Sequence, residues 1–171
     1  MTPALDSFIV RFAGLKTTLI LLVVFLAFNF AIFPQFMPED ETLQPLDLQF
    51  AYTPQQAYSL IEQYSPVDKQ NYKFTEYTVD VIYPLVYTLL FSFALFLLFK
   101  SVKLAKLPFL ILIADYLENI GIYNILKAYP EELNGLVWLT STVTSIKWIL
   151  AIIAVVIILF GLFYKIKKLV F

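Results

Sequence analysis

Residues 107–126 read LPFLILIADYLENIGIYNIL. About 20 mostly apolar residues make a helix long enough to cross a bilayer. Asp115, Glu118 and Asn119 fall at i, i+3 and i+4 of that helix and so share one face. Ionisable groups at membrane depth are costly and are functional-site candidates by default. The stretch therefore decides the class of the chain and marks where its chemistry is expected.

Working outward, three further apolar runs stand at 17–33, 79–99 and 137–164. The first is short for a span; the fourth is long enough to tilt or to project beyond the bilayer. The first is also a poor signal peptide, because its apolar core is too long and no small-x-small cleavage site follows. Hydrophobic residues make up 60% of the chain and the mean hydropathy is +0.78, whereas a soluble domain is roughly 45–50% apolar. The expected fold is all-α: an integral membrane four-helix bundle forming one domain over residues 1–171. It has an N-terminal interfacial helix and an amphipathic helix in the loop between spans one and two.

Arg11 and Lys16 precede span one, Lys100, Lys103 and Lys106 join spans two and three, and Lys165, Lys167 and Lys168 follow span four. The other side carries Lys69, Lys73 and Lys127 against a surplus of acids that includes Glu39, Asp40, Glu41, Asp47, Glu62, Asp68, Glu76, Glu131 and Glu132. Basic residues favour the cytoplasm, so both termini are predicted to be cytoplasmic and the 34–78 segment exoplasmic. The net charge of −1 implies no nucleic-acid partner. With no Cys and no His, disulfides, thiol catalysis, His-ligated haem and the ordinary zinc sites are excluded, and no cofactor is expected. Acid–base work would fall to carboxyls, Tyr or Lys.

Residues 3–15 place Leu5, Phe8, Ile9, Phe12 and Leu15 on one helical face, with Thr2 as cap and Pro3 as first helical residue. In the loop, Thr53-Pro54-Gln55-Gln56 fits a capping box, and Ala57, Leu60, Ile61 and Tyr64 follow at helical spacing. This helix is either a lid over the bundle mouth or a fixed cover. A second cap at Ser65-Pro66-Val67-Asp68 opens a helix that the pattern carries unbroken into span two, where Pro84 would kink it.

Polar residues recur at overlapping depths. At the α-helical rise, Asn29 and Tyr87 come about 18 Å from their cytoplasmic helix ends, Asp115 about 12 Å, Glu118 about 16 Å and Asn119 about 18 Å. By the same rise, Tyr83 and Tyr123 come to about 24 Å, Lys147 to about 25 Å and Asp80 to about 28 Å. Glu76, Asp80, Tyr83 and Tyr87 form one stripe; Asp115, Glu118, Asn119 and Tyr123 form another; Thr140, Thr144, Lys147 and Trp148 share a face of span four. These faces are expected to meet, giving a pocket in the exoplasmic half in which Asp80, Asp115 and Glu118 oppose a single Lys147. Lys147 is placed to pair with Asp80 or Glu118. The candidate ligand-binding set is Asn29, Asp80, Tyr83, Tyr87, Asp115, Glu118, Asn119, Tyr123, Lys147 and Trp148.

The leading reading is a pocket that binds or moves a small amphiphile, a cation or a proton, with membrane lipid around it. A second is an accessory or structural subunit of a membrane complex, whose stripes meet a homo-oligomer or a membrane partner protein. A third is an intramembrane acid–base enzyme such as a lipid isomerase. Acids turned inward favour the first and third readings; acids turned outward favour the second. The four-span layout with intramembrane acids is loosely similar to the sigma-2 receptor and sterol isomerase group, from which no residue role carries over. The order DLQFAYTP, YP, DYLEN, YP, KW resembles small four-span membrane proteins of bacteria, which implies a bacterial cytoplasmic membrane and no particular activity.

Overall fold

The computed structural model describes residues 3–38, 40 and 42–170, the last two by backbone alone. Thr2, expected as a cap, and Glu39 and Glu41 of the acidic triplet lie outside the described residues. Among those described there is no strand, and the chain is an α-helical bundle. Four stretches are long and apolar enough to cross a membrane: Leu15–Gln35, Val79–Phe99, Val102–Ala128 and Asn134–Lys168. By length and composition this is an integral membrane protein.

Helix α1 (Pro3–Phe12) lies against the helices that follow span one. Its Ile9 is fully buried, the Phe8 ring sits 6.2 Å from Phe93, and Asp6 pairs with Lys106. Leu15 does not continue its apolar face as the spacing suggests. The chain breaks at Ala13–Gly14, where the Gly14 amide donates to Thr17 Oγ1 over 3.0 Å, and Leu15 opens α2 (Leu15–Ala27). Helix α2 widens into a π turn at Phe28–Ile32 and ends in a 3-10 turn at Phe33–Gln35. The cause is local: Asn29 Nδ2 donates to the Phe25 carbonyl at 2.7 Å, placing a side chain beside the helical ladder.

The loop carries a 3-10 turn at Leu46–Leu48 and two helices, α3 (Pro54–Gln63) and α4 (Pro66–Tyr77). Both start in capping boxes: the Gln56 amide donates to Thr53 Oγ1 at 3.2 Å, and the Asp68 amide to Ser65 Oγ at 3.1 Å. The helix expected to run on into span two is interrupted. Thr78 leaves helical geometry (φ −127°, ψ −75°) while its hydroxyl donates to the Phe74 carbonyl at 2.5 Å, and α5 (Val79–Phe99) begins afresh. Lys100, at φ 53°, ends α5 in a left-handed turn; α6 (Val102–Ala105), α7 (Pro108–Ala128) and α8 (Asn134–Val170) follow.

The four spans are not equivalent. Helices α5, α7 and α8 pack mutually, with the longest seam between α7 and α8, whereas α2 packs along α5 and along no other span to a comparable extent. The α7–α8 approach is close enough that a Cβ at Gly121 would collide with the Thr140 side chain. The largest apolar cluster sits at the loop end, where Leu46, Tyr52, Ala57, Ile61 and Tyr72 bury against Ile122, Ile125, Leu126 and Val137. Helix α3 is thus bound into the ends of α7 and α8. Tyr58 accepts the Leu133 amide at 2.5 Å, which ties α3 to the start of α8 as well.

Candidate functional site

A cavity of about 470 Å³ lies between α2, α5, α7 and α8 under the loop. Its polar wall holds Asn29, Asp47, Asp80, Tyr83, Tyr87, Asp115, Asn119, Lys147 and Trp148. Phe33, Met37 and Leu48 add apolar surface at the loop end, and the lining toward the opposite helix ends is apolar throughout, with Phe25, Phe91, Ile111, Ala151 and Val155. The volume falls within the range of small-molecule pockets.

Proline explains part of the polar wall. Pro84 lacks an amide hydrogen, so the Asp80 carbonyl loses its partner within α5. Asn119 Nδ2 supplies the missing donor at 2.7 Å, and Tyr116 Oη donates to the neighbouring Val81 carbonyl at 2.8 Å. An unsatisfied carbonyl in hydrocarbon would cost several kcal/mol, by the order of magnitude for apolar media. Asn119 therefore has a structural task as well as a position in the cavity wall.

The acids have different surroundings. Asp115 Oδ2 accepts from Tyr87 Oη at 2.6 Å, and both side chains are nearly buried. Glu118, with no exposed surface, forms an ion pair with Lys147. Of the two pairings open to Lys147, the structure adopts this one, because Asp80 faces the loop side while Glu118 and Lys147 meet across the α7–α8 seam. Glu118 consequently lies behind the cavity wall and not on it. The stripe on α5 holds as far as Tyr83 and Tyr87, whose rings meet at 5.4 Å. Tyr83 also stacks on Phe25 at 5.6 Å and accepts from Asn29 Nδ2 at 3.1 Å, tying α2 to α5. Equal depth along the helices places Asn29 beside Tyr87; in the structure Asn29, within the π turn, bonds to Tyr83 instead.

Tyr123 is the clear departure. It lies outside the cavity, edge-on to Tyr77 at 5.9 Å and beneath Lys127. Four and five residues beyond Asn119 and Glu118, it has passed the cavity and reached the foot of α4.

Several participants have no periodic signal. Asp47 comes from the loop: its carbonyl accepts from Lys147 Nζ at 3.3 Å and from Trp148 Nε1 at 3.2 Å, and its Oδ1 accepts from Tyr72 Oη at 2.7 Å. Tyr72 Oη in turn accepts the Leu46 amide at 2.9 Å. Burial, then the nearby Asp47, pushes the Tyr72 phenol well above its ordinary value, so it remains a neutral donor. The α8 face expected from Thr140, Thr144, Lys147 and Trp148 also includes Ser141 and Ser145. Ser141 Oγ accepts the Tyr52 amide at 2.9 Å, and Ser145 Oγ donates to the Phe50 carbonyl at 2.9 Å. The Ser141, Thr144, Ser145, Trp148 spacing was available in the sequence as a helical polar stripe. Its loop partners were not, because 47–52 has no repeat to read.

Among the described residues no three acidic side chains converge as metal ligands would. The arrangement offers instead a carboxyl-bearing, hydrogen-bonding end and an aromatic and aliphatic end in one cavity. Comparison with protein-family models, with curated proteins and with solved structures gives no match.

Proposed function

We propose that the cavity binds a single-chain amphiphile with a cationic, hydrogen-donating head, taken up from the membrane between α2 and α8. The observation that carries this reading is the polarity gradient of the roughly 470 Å³ cavity, from Asp80 and Asp115 at one end to Phe91 and Val155 at the other. Lys147 is engaged by Glu118, so the charge left on the wall is negative and suits a cation. Tyr83, Tyr87 and Trp148 add faces for cation–π contact. Helix α2 packs along α5 alone, leaving its side toward α8 without a comparable seam and giving a chain in the bilayer a way in. The acids face the bundle interior, which supports a ligand over a protein partner as their target. The lysine distribution supports a polar end on the exoplasmic side and both termini in the cytoplasm.

The test uses the full chain in nanodiscs with the second tryptophan removed (Trp138→Phe), leaving Trp148 as the reporter. A nitroxide-tailed alkylamine should quench Trp148 saturably, and the matching alcohol should bind about tenfold more weakly, a difference of about 1.4 kcal/mol. Ala151→Phe, which fills the apolar end, should abolish saturation while leaving the far-ultraviolet circular dichroism unchanged. Unsaturable quenching in the parent, or equal quenching in Ala151→Phe, would overturn the reading.

A further inference from the structure

A second, small cavity of about 30 Å³ lies on the loop side of the large one. That is room for one or two waters, since one needs about 10–15 Å³ of such space. Its wall includes Asp68, Tyr72 and Thr75 of α4, and it shares Asp47 and Asp80 with the large cavity. Phe33 and Met37 are shared as well, so the two spaces adjoin at two carboxyl-bearing and two apolar residues.

Glu76 lines neither space; it lies one helical turn after Tyr72 on α4, and the break at Thr78 separates it from Asp80. It is 3% exposed, and among the described residues neither carboxyl oxygen has a hydrogen-bond partner. The charges that act on it come from several elements: Asp47 of the loop, Asp80 of α5, Glu118 of α7 and Lys147 of α8. Lys147, the one cation in that set, is paired with Glu118. A buried carboxylate without donors or counter-charge is strongly disfavoured, and the neutral acid relieves that cost. Burial, then Asp47, Asp80 and Glu118, push the Glu76 carboxyl well above its ordinary 4.5. A proton satisfies such a carboxylate without any further ligand.

We infer that Glu76 is a proton-binding site, its buried and unpartnered carboxyl carrying the proton at the C-terminal turn of α4. On uptake, a hydronium ion protonates the Glu76 carboxylate and leaves water. This site stands on its own observations and does not require the amphiphile.

The experiment is difference infrared spectroscopy of the full chain in nanodiscs, with glutamate carrying ¹³C at the side-chain carboxyl and no amphiphile added. At neutral pH a label-sensitive C=O stretch of a protonated acid is expected. It should be lost in Glu76→Gln, be kept in Glu118→Gln, and shift in D₂O while the protein stays folded. No label-sensitive band, a band that survives Glu76→Gln, or one that exchanges only on unfolding would overturn the inference. Should Glu76→Gln fail to fold, Glu76→Asp, which keeps a carboxyl but loses the label, should remove the band, and a band that survives it, or one that is lost in Glu118→Gln, overturns the inference. A raised folded value also has a linked sign. Stability is greatest below the ordinary glutamate value and falls as pH rises from there through the folded value. The thermal midpoint should decline with pH over that window, and Glu76→Gln should flatten the decline. A decline equally steep in the variant would count against the assignment.

Discussion

Helices α7 and α2 are both apolar enough to cross a membrane, yet they play opposite parts. Half of the span that contains α7 is buried inside the protein, against 6% of the span that contains α2. Helix α7 sits between α5 and α8 and supplies Asp115, Glu118 and Asn119, each with a partner on another element. Helix α2 shows Leu19, Ile20, Val23 and Leu26 outward and reaches its neighbour through one side-chain hydrogen bond, from Asn29 to Tyr83. The difference separates two uses of hydrophobicity. On α7 the apolar surface fills a protein interior around polar groups that satisfy one another. On α2 it meets lipid, where one apolar neighbour is as good as another and little energy holds the helix in place. The cavity lies between these two regimes, walled by α5, α7 and α8 on one side and by Phe25 and Asn29 of the loosely held first span on the other.

The comparison breaks most severely at Lys147. Lys147→Met leaves Glu118 buried and without its counter-charge, and removing one partner of a buried pair costs about 3–5 kcal/mol. Thermal unfolding in detergent should show that loss, and Glu118→Leu in the same chain should recover most of it. A single variant as stable as the parent would mean that the α7–α8 ion pair does not hold the core.

The α5–α7 seam comes next. Asn119→Leu orphans the Asp80 carbonyl, with an expected cost of about 1–3 kcal/mol. Pro84→Ala restores an amide within α5, so in that background the same substitution should cost much less. Additive effects in a double-mutant cycle would show that Asn119 does not compensate for the proline.

The smallest effect belongs to α2. Asn29→Leu removes one interhelical hydrogen bond, a class that averages about 0.6 kcal/mol in membranes. It should leave the midpoint almost unchanged and loosen α2 alone, read as faster hydrogen exchange at its amides with α7 unaffected. A loss as large as that of Asn119→Leu would remove the contrast between the two helices.

Much of the architecture was legible before any coordinates. Long apolar runs, the Thr53 and Ser65 capping boxes and Pro84 are local signals, and local signals survive translation into structure. The polar stripe of α5 and the inward acids of α7 were readable for the same reason, since a helix repeats its faces. Thr78 was not, because nothing in FTEYTVDV distinguishes a turn from a continuing helix. Tyr123 was misplaced by the same periodicity that placed Asp115: a shared face says nothing about where along the axis a neighbouring element ends.

The sequence by itself determined the helical membrane class, the faces on which the polar groups lie, and their excess of negative charge. Periodicity and transfer energy are properties of each segment alone. Only the tertiary structure decided that Lys147 pairs with Glu118, that Asn119 serves the Asp80 carbonyl, and that Asp47 descends from the loop to close the polar end. Those outcomes depend on which groups come within hydrogen-bonding distance across elements far apart in the chain. In a low-dielectric interior that proximity determines which partner each polar group satisfies.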